Sequence, residues 1–166
     1  KDERNPDKSL IGTKFAQGDI VTTMIKCANG ETVTLMLDTT LPKYYSREFT
    51  VRGTKGLCMQ ETNMILLEEK DDMHEFWEPA STIEKHLNNA KDYADYLPGL
   101  WKNITQEEQE AGHGGMDYLM LKTFVDAVLS GKEMPIDVYD MATWSSIVAL
   151  TDQSIALGGA PVVVPD

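Results

Sequence analysis

The sequence predicts an α+β domain with a mainly antiparallel β-sheet and helices on one face. Three observations predict it. Residues 19–68 carry short runs with period-two alternation, separated by turn signals. Residues 81–157 carry apolar side chains at helical spacing. Strands come first and helices afterwards, which argues against the alternating order of a parallel sheet. At 166 residues the chain is long enough to bury one core, and residues 1–166 are expected to form a single domain.

The strands follow in order. Asp19 to Ala28 alternates, with Ile20, Thr22, Met24 and Lys26 on one face and Val21, Thr23, Ile25 and Cys27 on the other. Asn29-Gly30 is read as a two-residue hairpin turn, because both residues accept positive φ. Glu31 to Thr39 returns through Val33, Leu35 and Leu37. Ser46 to Arg52 follows, and Thr54-Lys55-Gly56 turns the chain into Leu57 to Gln60. Met64 to Glu68 makes a fifth strand, Glu69 to Glu75 a charged connection, and Phe76-Trp77 a short strand before Pro79.

The helices come next. Ser81 to Ala94 is polar and weakly amphipathic. Thr105-Gln106-Glu107-Glu108 fits a capping box, a hydroxyl for the first free amides and a glutamate three residues on. Met116 to Leu129 places Leu119, Leu121, Phe124, Val125, Val128 and Leu129 on a broad apolar stripe that Ser130-Gly131 ends. Asp137 caps a last helix, whose expected stripe is Val138, Met141, Ala142, Ile147, Val148 and Ile155 and whose stop is Gly158-Gly159. Pro161 to Pro165 reads as a short extended tail.

Composition excludes several function classes. Lys and Arg number 15 against 27 Asp and Glu, for a net charge of -12, and no basic patch stands out. That balance argues against nucleic acid and fits a soluble surface. No run of about 20 apolar residues crosses a membrane. Lys1 to Ser9 is charged, without the apolar stretch and cleavage site of a signal peptide. Cys27 and Cys58 lie too far apart in sequence for a zinc motif and are expected as buried apolar thiols. His74 with Glu75 and Glu78 matches no established metal spacing, and His74 and His86 read as solvated surface. No phosphate-cradling glycine loop is present, so no cofactor-binding residue is expected in this chain.

The most informative stretch is Gly112-His113-Gly114-Gly115-Met116-Asp117-Tyr118, running directly into a helix. A glycine-flanked histidine there is exposed backbone with one titratable side chain, which suits binding or catalysis better than a core position.

This block carries a family resemblance, with four others in the same order. They are Gly18-Asp19, then Thr39-Thr40-Leu41-Pro42 with Tyr45-Ser46-Arg47, then Gly53-Thr54-Lys55-Gly56, and finally Ile136 to Asp140 with Trp144-Ser145. Together they resemble the C-terminal, dihydrodipicolinate-reductase-like domain of the Gfo/Idh/MocA oxidoreductases. The nearest branch is glycoside hydrolase family 109, the NAD-dependent α-N-acetylgalactosaminidases. The resemblance implies a longer parent whose N-terminal Rossmann domain holds NAD, and a C-terminal piece that is inactive alone. It implies hydrolysis by oxidation of a sugar hydroxyl, elimination, addition of water and reduction, so no fixed carboxylate pair is needed. A sugar dehydrogenase of the same superfamily and a non-catalytic carbohydrate-binding or assembly module are the alternatives. The implied partners are a carbohydrate, the Rossmann domain and a second copy packed on the sheet face. Localisation by analogy is bacterial periplasm or cytoplasm.

Each candidate residue has a functional role beside a structural one. Tyr45 matches the family's Tyr-Ser-Arg position, which implies contact with a sugar or help with a proton; the structural alternative is a half-buried strand tyrosine. Tyr44 replaces the proline usual before that motif. His113 suits substrate binding, acid–base work or bonding of loop carbonyls. Asp117, one turn into the helix, suits the dipole, a sugar or an orienting bond to His113. Arg47 suits a polar substrate group or a cross-strand glutamate such as Glu48 or Glu61. Trp144 suits stacking on a sugar, although its helical spacing favours core packing. Met24, Met36, Met59 and Met64 suit a subunit contact or the core.

Overall fold

The computed structural model describes residues 7–16, 18–71 and 79–165, with residues 79–82 described as backbone only. The architecture is α+β. Among the described residues there are five strands: β1 (Ile20–Lys26), β2 (Thr32–Asp38), β3 (Thr50–Gly53), β4 (Gly56–Met59) and β5 (Met64–Leu67). All pairings are antiparallel, in two ladders, β1-β2 and β3-β4-β5. The α-helices are α1 (Pro79–His86), α2 (Gly99–Lys102), α3 (Gln106–Glu110), α4 (Met116–Ser130) and α5 (Val138–Ala156). Short 3-10 segments lie at Lys8–Leu10, Asn89–Tyr96 and His113–Gly115. The expected Phe76-Trp77 strand falls outside the described residues.

The expected sheet is divided because the chain turns twice between β2 and β3. The Asp38 carboxylate accepts from the Thr40 and Leu41 amides, each at 3.2 Å. The Ser46 hydroxyl then accepts from the Glu48 amide at 2.8 Å, and Glu48 takes a φ of 49°. A residue in that left-handed region cannot continue an extended strand. Ser46 to Phe49 is therefore loop, and the third strand begins at Thr50 rather than Ser46.

The residues separate into two units, 1–44 with 144–166, and 45–143. In the first, β1 and β2 form a hairpin whose closing loop differs from the two-residue turn expected. Cys27 donates to the Glu31 carbonyl at 2.8 Å, and Gly30 donates to the Cys27 carbonyl at 3.1 Å. Gly30 takes a φ of 102°, and Asn29 is not among the residues with positive φ. The loop is thus three residues long, with a single left-handed position at its end. On β1, Val21, Thr23 and Ile25 are half-buried, while Ile20, Thr22, Met24 and Lys26 are exposed. Thr23 and Thr151 of α5 meet through their hydroxyls at 3.1 Å. Helix α5, whose residues before Trp144 belong to the second unit, starts as expected, with the Asp137 carboxylate accepting from the Tyr139 amide at 2.7 Å and the Asp140 amide at 2.9 Å. It stops where Gly159 donates back to the Ser154 carbonyl at 2.8 Å. Its covered side is Ile147, Leu150, Thr151 and Ser154; Val138, Met141, Ala142, Val148 and Ile155 are exposed.

In the second unit, β3 and β4 are joined by the two residues Thr54 and Lys55. The close approach of β5 makes Gly56 necessary: a Cβ there would lie 2.5 Å from the Leu66 carbonyl oxygen. The exposed backbone of β5 is covered by a side chain. Asn89 accepts from the Ile65 amide at 2.7 Å and donates to the Ile65 carbonyl at 2.8 Å, replacing a strand partner. The predicted Ser81–Ala94 helix is broken at Asn88, which takes a φ of 58° and donates to the Thr62 carbonyl at 3.0 Å. Among the described residues Met64, Tyr93, Leu119 and Ala127 are the buried apolar ones. On α4 the covered side is Leu119, Thr123 and Ala127, while Leu121, Phe124, Val125, Val128 and Leu129 are exposed. Cys27 and Cys58 are half-buried rather than buried. Met64 is buried and Met59 half-buried, whereas Met24 and Met36 are exposed.

The Gly56 contact is with backbone, which has no rotamer to yield. Gly56→Val should destabilise the protein by about 1–3 kcal/mol through overpacking. A lowered urea-unfolding midpoint with faster amide exchange in β4 and β5 is the expected result, against unchanged exchange for Gly53→Val, whose added Cβ would lie 3.9 Å from its nearest neighbour.

Candidate functional site

The site is built on α3, the loop 111–115 and the first turn of α4. Helix α3 has the capping box its sequence predicts: the Glu108 amide donates to the Thr105 hydroxyl at 3.2 Å, and the Thr105 amide donates to the Glu108 carboxylate at 2.8 Å. The Thr105 amide, the Tyr118 hydroxyl and the Thr105 hydroxyl all hold the Glu108 carboxyl below the usual carboxylate range. The same contact with Glu108 pushes the Tyr118 phenol up. Glu108 thus ties the start of α3 to the start of α4.

Between them the chain bends sharply. Gly112, His113, Gly114 and Gly115 have φ values of 93°, 44°, 67° and 91°. Glycine adopts these angles freely; histidine does so under strain. Gly115 must also be glycine because a Cβ would lie 2.5 Å from Ile104 Cδ1 and 3.2 Å from the Glu108 carbonyl. The loop is wedged against α3 as α4 begins. It presents the His113 ring outward, with the side chain 74% exposed.

His113 Nδ1 lies 2.8 Å from Asp117 Oδ2. A Cβ on Gly112 would come within 2.8 Å of that same carboxylate oxygen, so Gly112 gives Asp117 room to reach the ring. Among the described residues no side chain caps the first amides of α4. The carboxylate of Asp117 turns to the imidazole while remaining within the helix's first turn, where the dipole favours it. The pair is an oriented imidazole with its second nitrogen directed away from the carboxylate. Such a group can accept, hold or return a proton, or hydrogen-bond a hydroxyl.

The sequence of residues 1–166 matches the family described as Glycosyl hydrolase 109, C-terminal domain. The chain belongs to this family. It is similar to an α-N-acetylgalactosaminidase of Tannerella forsythia, 43% identical over 152 residues, covering 92% of this chain and 30% of that protein. A glycosyl hydrolase family 109 protein of Stenotrophomonas maltophilia is 44% identical over 154 residues, covering 92% of this chain and 32% of its own length. Another, from Parabacteroides distasonis, is 39% identical over 165 residues, covering 99% and 33%. The chain therefore spans about a third of the length of the curated relatives it matches.

Within this glycosyl hydrolase 109 domain the sequence candidates are placed as follows. His113 and Asp117 are brought together. Tyr45 and Arg47 precede β3 in the same unit, both exposed. Tyr45 is 85% exposed in a loop, so it is not the half-buried strand tyrosine that was its structural alternative. Tyr44 and Trp144 belong to the other unit. Trp144 is exposed on α5 rather than packed in a core, because the covered side of that helix runs through Ile147 and Leu150.

One histidine was misjudged by its sequence surroundings. His86 is buried, not solvated. Asn89 donates to its Nδ1 at 3.4 Å, and Asp71 Oδ1 lies 3.8 Å away. Asp71 Oδ2 meanwhile accepts from the Leu67 amide at 2.8 Å and the Tyr93 hydroxyl at 3.2 Å. Burial first, and then the Asp71 charge, push the Tyr93 phenol up. Lys70 Nζ lies 5.0 Å from the Tyr93 ring and 5.1 Å from that of Tyr96. This knot holds the end of β5 to the 3-10 segment. The His86–Asn89 spacing was its sequence signal, although Asp71 lies 15 positions from the histidine. His74 falls outside the described residues.

The Glu108 tie makes the pedestal of His113 sensitive to acid. Its carboxyl is depressed in the folded state. Its contribution is therefore present above the unfolded carboxyl range, near ~4.3, and is lost as pH falls through the lowered folded value. Amide protection in α3, corrected for intrinsic exchange, should fall over that acid range in the native sequence. With Glu108→Ala the protection should lose its acid dependence and already be low at neutral pH.

Proposed function

We propose that the full-length protein is an NAD-dependent α-N-acetylgalactosaminidase and that this chain supplies its substrate-facing lobe. The observation that carries the reading is the exposed His113–Asp117 pair on a strained glycine loop, within a glycosyl hydrolase 109 domain. The name of the Tannerella forsythia relative supports the sugar class. The resemblance to Gfo/Idh/MocA oxidoreductases supports the cofactor. Among the described residues no strand runs through a glycine turn into a helix, the arrangement that holds a dinucleotide. The resemblance assigns NAD to a nucleotide-binding lobe in the part of the relatives' length that this chain does not cover.

In this reading His113 takes or returns a proton at the sugar through Nε2. Tyr45 and Arg47, exposed in the same unit, supply hydroxyl and guanidinium contacts to the carbohydrate. The exposed α4 positions Leu121, Phe124, Val125 and Val128 support docking of the nucleotide-binding lobe. Ile20, Met24 and Met36, exposed on one face of the hairpin, support contact with a second copy. The isolated chain is inactive in this reading.

Full-length protein supplied with NAD should release the aglycone from an aryl α-N-acetylgalactosaminide, and the isolated chain should not. His113→Gln should lower kcat/KM by about 10²-fold or more, the scale of a lost acid–base group. Tyr45→Phe should lower it less. Accumulation of an oxidised sugar without aglycone release would overturn the glycosidase reading in favour of a dehydrogenase.

A further inference from the structure

We propose that Asp117 is a positioning residue whose task is to keep a proton on Nδ1 of His113, so that Nε2 is the atom that gains and loses a proton. The proposal rests on the acid–base reading of His113 given above and assigns the chemistry to one of the two ring nitrogens.

The argument starts from what each group can do. An ionised carboxylate only accepts hydrogen bonds. At 2.8 Å from Asp117 Oδ2, His113 Nδ1 must therefore carry the hydrogen. This holds for neutral imidazole and for imidazolium alike, since Nδ1 donates in both. Only Nε2 then changes state. Two other carboxylates near the loop, Glu108 and Glu110, are engaged elsewhere. Glu108 faces Thr105 and Tyr118, and Glu110 accepts from the Gln106 amide group at 2.9 Å. Glu107, in the first turn of α3, and Lys122, paired with Asp126 at 2.6 Å, complete the charged groups of the two helices that bracket the loop's histidine.

The backbone is arranged for this contact. His113 holds an unfavourable φ of 44°, and Gly112 leaves the space that a Cβ would take from the Asp117 carboxylate. A carboxylate serving only the helix dipole would need neither feature. The pair is exposed, so it adds little to stability. Its effect is the choice of tautomer, which needs only a modest energetic bias.

The test uses full-length protein labelled with nitrogen-15 histidine, with the His113 signals assigned by their loss in His113→Gln. Ring-nitrogen spectra are followed from about pH 5 to about pH 9, across the usual histidine range. The expected result is an Nδ1 resonance that stays protonated throughout while the Nε2 resonance moves. In Asp117→Asn the side chain can either accept or donate, so Nδ1 should begin to move as well. There kcat/KM should fall by less than the ~10²-fold of the histidine variant, with the loss in kcat and with the pH profile displaced. Asp117→Glu should recover part of the Nδ1 bias. A native His113 that titrates at Nδ1 overturns the proposal, as does an Asp117→Asn spectrum identical to the native one. A raised KM with unchanged tautomer makes Asp117 a sugar ligand and also overturns it. Full activity in His113→Gln would remove the acid–base reading alone, since the ring-nitrogen spectra would still decide what Asp117 does.

Discussion

The contact between Gly115 and α3 sets the geometry of everything around His113. Because that backbone lies against the Glu108 carbonyl and Ile104, the chain must leave α3 and enter α4 within a few residues. It does so by keeping four successive residues at positive φ. Three are glycine, and the fourth is the one residue whose side chain has something to do. The strain is local and is offset by regular bonds on both sides, the capping box of α3 before it and the α4 ladder after it. The result is a titratable ring held at a helix start by backbone geometry rather than by burial.

Legibility in the sequence followed the range of the interactions. The α3 capping box, the start of α4 at Met116 and the Asp137 cap all depend on residues three or four apart, and all appear where the sequence places them. The antiparallel strands were readable from alternation and turn residues. Division into two ladders was not, because it depends on Ser46 and Glu48 forming a local turn inside an otherwise strand-like run. The break at Asn88 was likewise hidden. It answers to Thr62 in the turn before β5 and to Ile65 on β5, and no pattern within residues 81–94 reports those contacts.

The helix faces show a different limit. Both α4 and α5 are apolar around much of their circumference, so hydrophobic spacing gives little direction. On α5 the covered residues include Thr151 and Ser154, whose hydroxyls bond to Thr23 and to the Ala160 carbonyl. Bulkier apolar neighbours such as Val148 and Ile155 remain exposed. Reading the larger side chains as the core therefore selected the wrong flank. A helix apolar on more than one side is suited to more than one neighbour, which is why the exposed face of α4 enters the reading of the full-length protein as contact surface.

Two histidine–aspartate pairs in one unit show why residue type alone does not assign chemistry. His86 is buried and Asp71 half-buried, but the aspartate's Oδ2 is occupied by the Leu67 amide and the Tyr93 hydroxyl, and its Oδ1 stands 3.8 Å from the ring. That carboxylate organises backbone, and the histidine fills a space beside Asn89. Asp117 and His113 stand only 2.8 Å apart, exposed, on a loop whose glycines make the contact possible. The covered pair holds a strand end in place, where access to solvent would serve nothing. The exposed pair contributes little to stability. An oriented ring left open to solvent, with Gly112 making room for its carboxylate, is the physical ground on which the proposal above assigns the substrate to His113 and not to His86.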